Sequence, residues 1–224
     1  MFSVIETIFI NLIYSFFGSF LLDNIFKKTI KDSARYFLLH VILNSFIVSI
    51  TYQEALDFFL SPVIEFNRYT KSSIESATMI VGFHLYHYIT EVLDFETKIH
   101  HIVTVFITGS TALSVPTGPT TSAINFIMCG LPGGIDYALL VMYKYNIIHS
   151  LTEKNINRWL NLLIRMPGMM LIAWYLFLNI YNNNILWYNY VSPIFATALM
   201  TINSIYYCNK TVGNYHIRNF QNNL

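Results

Sequence analysis

Long apolar stretches, each about 20 residues and so as long as a bilayer is thick, recur along the whole chain. Only 11% of the 224 residues are charged, whereas a soluble domain carries about 25%. A water-soluble particle of this size would lack the polar surface needed to cover itself. The sequence therefore predicts an all-α, polytopic membrane helix bundle.

Seven apolar segments are expected to cross the bilayer. They are 4–22, 36–50, 76–94, 99–115, 121–143, 160–181 and 185–207. Turn residues or charges bound each segment, which favours seven spans over six, and the short second segment has room to extend toward Leu60. The first segment lacks the basic start and cleavage site of a signal peptide and is expected to remain as an anchor.

The positive charges predict both the orientation and the organisation of the chain. With the N-terminus outside, 11 of the 13 Lys and Arg residues lie on the cytosolic side, and Arg68 and Lys71 lie on the other side. We expect an anchor span with a basic cytosolic loop over 1–34, a transmembrane domain over 35–208 and a cytosolic tail over 209–224. The near-neutral net charge and the lack of a basic block argue against nucleic-acid binding.

Polar side chains inside the predicted spans mark the candidate site, because an ionisable group at membrane depth costs several kcal/mol unless it is paired or hydrated. The topology places all of them in the cytosolic half of the bundle. These residues are His40, Asn44, His84, His87, Glu91, His100, His101, Thr104, Asp136, Arg165 and Asn203. His84, His87 and Glu91 are expected on one face of the third span. Together they predict a water-accessible chamber that opens to the cytosol.

Ordinary packing is the competing interpretation of the same residues. The histidines are also compatible with interfacial or helix-packing roles, and Asp136 with Arg165 is compatible with a structural ion pair. Pro132 and Pro167 each remove a backbone hydrogen bond, so each predicts a local disruption of its helix, either at a cavity or simply for packing.

A stretch from Asp94 to Val105, DFETKIHHIVTV, resembles the His-His signature of the TLC domain family, which includes the ceramide synthases. Ceramide synthases carry a His-Asp pair, a second Asp three residues on and an aromatic-Asn pair about thirty residues later. Here Asp136 matches the second Asp, and Tyr145-Asn146 matches the aromatic-Asn pair. Pro132 and Gly133 stand where the family has its His-Asp pair, so one family aspartate is missing.

This resemblance implies a TLC-type fold of about seven spans in the endoplasmic reticulum membrane. It also implies transfer of an acyl group from acyl-CoA, as co-substrate, to a sphingoid base. No other cofactor and no metal are expected, and a homo-oligomer is possible. An imidazole suits this reaction as a general base or as a nucleophile. We expect His100, His101 and Asp136 to be catalytic, with Asp136 orienting one imidazole, and His84, His87, Glu91, Thr104 and Arg165 to bind substrate.

Two other functions are open at this point. TLC proteins outside the synthases affect membrane lipid composition or trafficking, and the missing Asp at Gly133 favours such a non-catalytic lipid-binding role. A histidine-based metal oxidase is disfavoured, because such enzymes use about eight or more imidazoles and this chain has 7 histidines.

Overall fold

The computed structural model describes residues 3–62, 68–115, 117–182 and 191–223, and these residues form seven continuous helices without a strand. The first three helices are α1 (Val4–Thr29), α2 (Asp32–Leu60) and α3 (Lys71–Thr90). Helix α4 consists of Phe95–His100, His101–Ile107 and Thr108–Ser114, and α5 of Pro119–Asn125, Phe126–Gly130 and Leu131–Lys144. Helix α6 consists of Ser150–Leu160, Asn161–Arg165 and Met166–Asn182, and α7 is Val191–Asn222.

Five of the helices, α1, α2, α5, α6 and α7, are long and apolar enough to cross a membrane. The prediction of an all-helical protein with membrane-spanning helices is confirmed at this level, and the count of seven spans stays a prediction. Helices α3 and α4 are more polar and carry His84, His87, His100 and His101. Residues 185–190, the start of the seventh predicted segment, lie outside the described residues.

Side-chain caps set where several helices begin. Ser3 and Glu6 form a reciprocal capping box at the start of α1, and Thr70 caps α3 by accepting the backbone N–H of Ser73. Asp94 caps α4, because its Oδ1 accepts the backbone N–H of Thr97 at 2.8 Å. This hydrogen bond holds the pKa of the Asp94 carboxyl below its usual value.

Helices α4, α5 and α6 each contain a π-helical segment. These segments are His101–Ile107, Phe126–Gly130 and Asn161–Arg165. The last two end two residues before Pro132 and Pro167, whose rings carry no N–H to donate back along the helix. The predicted disruption at each proline thus takes the form of a wider turn, and the helix continues beyond it. Such π segments are frequent at functional sites.

Buried apolar side chains from neighbouring helices hold the bundle together around α2. Leu39, Leu43 and Ile47 of α2 pack against side chains of α3 and α4. Ala55 and Phe58, further along α2, belong to a second cluster formed with side chains of α5, α6 and α7. Helix α2 therefore packs against α3 and α4 through its first half and against α5, α6 and α7 through its second half.

Helices α1 and α3 approach each other closely at Gly82. The Ser15 hydroxyl donates to the Met79 carbonyl at 2.8 Å. A Cβ added at Gly82 would lie 2.8 Å from the Ser15 Cβ and 2.9 Å from the Leu12 carbonyl oxygen. Small residues permit such backbone approach between membrane helices.

We expect Gly82→Ala to destabilise the protein by about 1–3 kcal/mol, because backbone atoms of α1 must move to admit the methyl group. This cost exceeds the roughly 0.5–1 kcal/mol that alanine gains over glycine in a helix. Thermal unfolding of the detergent-solubilised protein measures the effect. Gly18→Ala is the matched control, since a Cβ there meets nothing within 4 Å. Equal melting temperatures for the two variants would contradict the close contact.

Candidate functional site

A cavity of about 360 Å³ lies between helices α2 to α7. Volumes of this size are typical of pockets for small molecules. On α4 the lining residues run from Thr97 to Ala112, a distance of roughly 20 Å at 1.5 Å per residue. The cavity is therefore elongated along the helices.

One end of the cavity collects most of the polar side chains that the sequence singles out. The predicted site residues that line it are His84, His100, His101, Thr104, Asp136 and Arg165, and they are joined by His40, Asn44 and Asn203. Six different helices supply these nine residues. The structure thus brings together the polar positions that the sequence places at one depth.

His87 lies behind the cavity wall and does not line the cavity. Its ring is fully buried and stacks on the His40 ring, with 4.8 Å between the centroids and 7° between the planes. Neither ring nitrogen of His87 has a hydrogen-bond partner among the described residues. The predicted substrate-binding role of His87 therefore lacks direct access to a ligand in this cavity.

The structure corrects the placement of Glu91. Helix α3 ends at Thr90 and Glu91 is its C-cap: the Glu91 backbone N–H donates to the His87 carbonyl at 2.9 Å, but the Glu91 backbone itself is extended. Its carboxylate instead lies 3.5 Å from the Arg35 guanidinium. Asp94, three residues after Glu91, is the N-cap of the next helix.

Five imidazole rings form a continuous row from the interior to the cavity. The order is His87, His40, His84, His101 and His100, and the successive ring centroids lie 4.8, 5.7, 5.0 and 5.7 Å apart. Within the described residues, no group of three or more His, Cys, Asp or Glu side chains is arranged to hold a metal ion.

Backbone carbonyls fix the tautomers of two of these rings. Nδ1–H of His40 donates to the Tyr36 carbonyl at 2.9 Å, and Nδ1–H of His84 donates to the Ile80 carbonyl at 2.7 Å. A carbonyl oxygen only accepts, so in the neutral ring the proton is on Nδ1 and the lone pair is on Nε2. The Nε2 of His40 is buried and has no hydrogen-bond partner among the described residues.

His100 has an orienting partner, but that partner is not Asp136. Nδ1–H of His100 donates to the Asn203 Oδ1 at 3.2 Å, and its ring lies 5.0 Å from that of Tyr207. Asp136 Oδ1 and His101 Nδ1 have no hydrogen-bond partner in the part of the chain that the structure describes. The expected Asp136–imidazole hydrogen bond is therefore not formed, and Asn203 provides the corresponding contact.

The other end of the cavity combines apolar side chains with Thr117, Thr120, Thr121, Asn125 and Thr197. The buried Oγ1 of Thr120 has no hydrogen-bond partner among the described residues. The lining side chains there include Ala112, Val115, Ile124, Met128, Leu176, Ala196 and Met200. The hydroxyls of Thr104, Thr108 and Thr111 donate to carbonyls one turn back in α4, and so they are already satisfied. A cavity that is charged at one end and lined by apolar and hydroxyl side chains along the rest is compatible with a single-chain amphiphile.

A seam between α4 and α7 closes one side of the cavity. Glu96 accepts hydrogen bonds from the Lys210 ammonium and, at 3.0 Å, from the Tyr206 hydroxyl. These two hydrogen bonds hold the pKa of the Glu96 carboxyl below its usual value, and the one from Lys210 has the larger effect. The hydrogen bond between His100 and Asn203 continues the same seam one turn further in.

Sequence reasoning missed a buried charge cluster centred on Asp23. This carboxylate is 1% exposed, lies 3.2 Å from the Lys27 ammonium and accepts a 2.6 Å hydrogen bond from the Tyr86 hydroxyl. The Arg35 guanidinium contacts its other oxygen. The sequence does contain a signal for this cluster, because Asp23 and, one helical turn later, Lys27 directly follow the first apolar segment.

No family model, curated protein or solved structure matches this chain. The TLC resemblance therefore stays a prediction that rests on its own residues.

Proposed function

We propose that all seven helices cross the bilayer in a TLC-type arrangement. The N-terminus then lies outside and the C-terminus in the cytosol, because positive charges concentrate on the cytosolic side of membrane proteins. The proposed membrane is that of the endoplasmic reticulum. In this orientation the imidazole row and the polar end of the cavity lie toward the cytosol, where a soluble CoA thioester is available.

We propose that the protein binds a long-chain lipid in this cavity and transfers an acyl group from acyl-CoA to a sphingoid base. The observation that carries this proposal is one elongated cavity with His100 and His101 at its charged end and a mixture of apolar and threonine side chains along the rest. An acyl chain fits the apolar part, and the reacting groups then lie beside the imidazoles.

In the proposed reaction an imidazole Nε2 accepts a proton from the amine as its nitrogen attacks the thioester carbonyl. The C–N bond forms, the C–S bond breaks, and the CoA thiolate leaves and takes up the proton. The products are an N-acyl amine and free CoA, so the reaction needs no oxidant or reductant. His100 is the proposed base, because Asn203 holds its Nδ1–H and leaves Nε2 with a lone pair.

A second candidate function is lipid binding without catalysis. Two observations favour it: the buried Asp136 Oδ1 accepts no hydrogen bond from an imidazole in the described part of the chain, and Gly133 stands where ceramide synthases carry an aspartate. The cavity would then hold a lipid with its head group among the histidines.

The test is N-acyl transfer in membranes that contain this protein but lack endogenous ceramide synthase. Long-chain acyl-CoA and a sphingoid base are supplied, and the N-acyl product is measured by mass spectrometry. We expect product that depends on the protein and on acyl-CoA. A folded protein that yields no product but retains a co-purified long-chain lipid would reject the acyltransferase in favour of lipid binding.

A further inference from the structure

The end of the cavity remote from the histidines is polar without being charged. The hydroxyl and amide side chains that line it are those of Thr117, Thr120, Thr121, Asn125 and Thr197. The two charged side chains among the described lining residues, Arg165 and Asp136, belong to the other end. Thr120 is in the first turn of α5, and Asp136 lies roughly 24 Å further along that helix at 1.5 Å per residue.

The Thr120 hydroxyl is buried without a partner in the described structure. Thr120 is 2% exposed, and its Oγ1 makes no hydrogen bond among the described residues. Its neighbours are already engaged, because the Oγ1 atoms of Thr117 and Thr121 lie 2.9 Å apart, and the Asn125 amide donates to the Ser76 hydroxyl at 2.8 Å. A buried hydroxyl is destabilising when it is left unpaired, so a ligand oxygen beside Thr120 would be favoured.

The first turn of α5 is held in place from behind. The Ser122 hydroxyl donates to the Glu54 Oε2 at 2.7 Å, and the Thr70 hydroxyl donates to the same oxygen at 2.8 Å. These bonds join α5 to α2 and to the residue that caps α3, and none of the three side chains lines the cavity. The position of Thr120 is therefore fixed before a ligand binds, which lowers the entropy cost of binding.

The surroundings of Thr120 select the chemical type of the ligand group. No Asp, Glu, Lys or Arg of the described chain lines this end of the cavity, so a buried carboxylate or ammonium would lack an opposite charge there. A methyl group would leave the Thr120 hydroxyl unpaired. A neutral hydroxyl both donates to and accepts from a threonine hydroxyl, and it therefore fits this position best.

We infer that the cavity binds a long-chain lipid with a second polar group, a hydroxyl at the chain end remote from its head group. The head group lies at the charged end, the chain runs between the apolar side chains, and its terminal hydroxyl forms a hydrogen bond with Thr120. This inference rests on the lipid-binding part of the proposed function and is independent of acyl transfer. It assigns a selectivity for the far end of the chain, whereas the histidines contact the head group.

Equilibrium binding to the purified full-length protein in phosphatidylcholine nanodiscs tests the inference, with binding to empty nanodiscs subtracted. The probes are a radiolabelled primary alkanol and the α,ω-diol of equal length, both long enough to span roughly 24 Å. The two probes differ only in the hydroxyl at the far end. We expect the wild type to prefer the diol about three- to tenfold, the discrimination that a hydrogen bond between neutral groups provides.

Thr120→Val is the decisive variant, because valine keeps the shape of threonine and lacks the hydroxyl. It should abolish the preference for the diol with little change in the affinity for the alkanol. Thr120→Ser retains a hydroxyl and should retain the preference. Thr78→Val is the matched control and should bind both probes like the wild type. Thr78 is buried, donates to the Ile74 carbonyl of its own helix at 2.7 Å and does not line the cavity.

The length of the chain provides a test that needs no variant. Diols shortened by about a third can no longer reach from the charged end to Thr120 over roughly 24 Å. The preference of the wild type for diol over alkanol should therefore disappear at the shorter length. This measurement also decides between the outcomes if Thr120→Val fails to fold.

The outcomes separate this inference from the proposed function. Equal affinities of the wild type for the two probes, or no saturable binding of either, would overturn the inference even if N-acyl product forms. A preference for the diol that survives in Thr120→Val, or that persists at the shorter length, would overturn it as well. A preference that depends on Thr120, in a protein that forms no N-acyl product, would support the inference and reject the transferase.

Discussion

Asp23→Ala is expected to lower the free energy of unfolding by about 3 kcal/mol or more, the cost of removing one partner from a buried ion pair. The Asp23 carboxylate is 1% exposed and contacts Lys27, Arg35 and the Tyr86 hydroxyl. Without it the Arg35 guanidinium keeps one acidic neighbour, Glu91, at 3.5 Å. Helices α1, α2 and α3 meet through these contacts, so all three should loosen together.

Unfolding of the detergent-solubilised protein by heat or denaturant measures this effect. Asp57→Ala is the matched control, because Asp57 is exposed and its side chain accepts a single described hydrogen bond, from Gln53 on the same helix. Asp23→Asn retains the shape but not the charge and should have an intermediate effect. If Asp23→Ala unfolds like Asp57→Ala, the cluster contributes little to stability.

The helices and the polar end of the cavity were accessible to sequence reasoning for one physical reason. Membrane helices are long apolar runs, and a polar residue inside such a run is conspicuous. Counting residues from the ends of each span then places His84, Asp136 and Arg165 at similar depth. The structure brings these three residues to one cavity.

Which face of a helix a side chain occupies was harder to predict, because helix ends and π segments shift the register. Glu91 was expected inside the third span, but α3 ends one residue earlier and the Glu91 carboxylate lies 3.5 Å from the Arg35 guanidinium. The π segment that begins at His101 changes the rotation between the two adjacent histidines and the rest of α4. A linear count of 100° per residue does not include either effect.

Contacts between distant segments depend on how the helices rotate against each other, and spacing along the chain carries little of that information. Asp23 and Tyr86 are 63 residues apart, and His100 and Asn203 are 103 residues apart. Asp136 was therefore predicted to orient the imidazole of His100 or His101 only because these side chains are polar and lie inside predicted spans. The structure instead gives that position to an amide from α7.

His100→Ala should lower the rate of the proposed N-acyl transfer by about 10²- to 10⁴-fold, the usual contribution of a general base. His100 is favoured over His101 because Asn203 fixes its Nδ1–H, whereas the Nδ1 of His101 has no partner among the described residues. An amide that orients a catalytic imidazole is a known variant of triad geometry. His101→Ala should therefore cost less than His100→Ala.

Asn203→Ala separates orientation from proton transfer in the same assay. In this variant the His100 imidazole remains but loses the partner that selects its tautomer. We expect kcat to fall by about tenfold, which corresponds to one hydrogen bond to a group that becomes charged. KM for acyl-CoA should be nearly unchanged. Asn203→Asp restores an acceptor for Nδ1–H and should recover much of kcat. His216→Ala, at an exposed position on α7, should match the wild type. If His101→Ala loses more activity than His100→Ala, then His101 is the base. The hydrogen bond to Asn203 would in that case not determine which imidazole takes the proton.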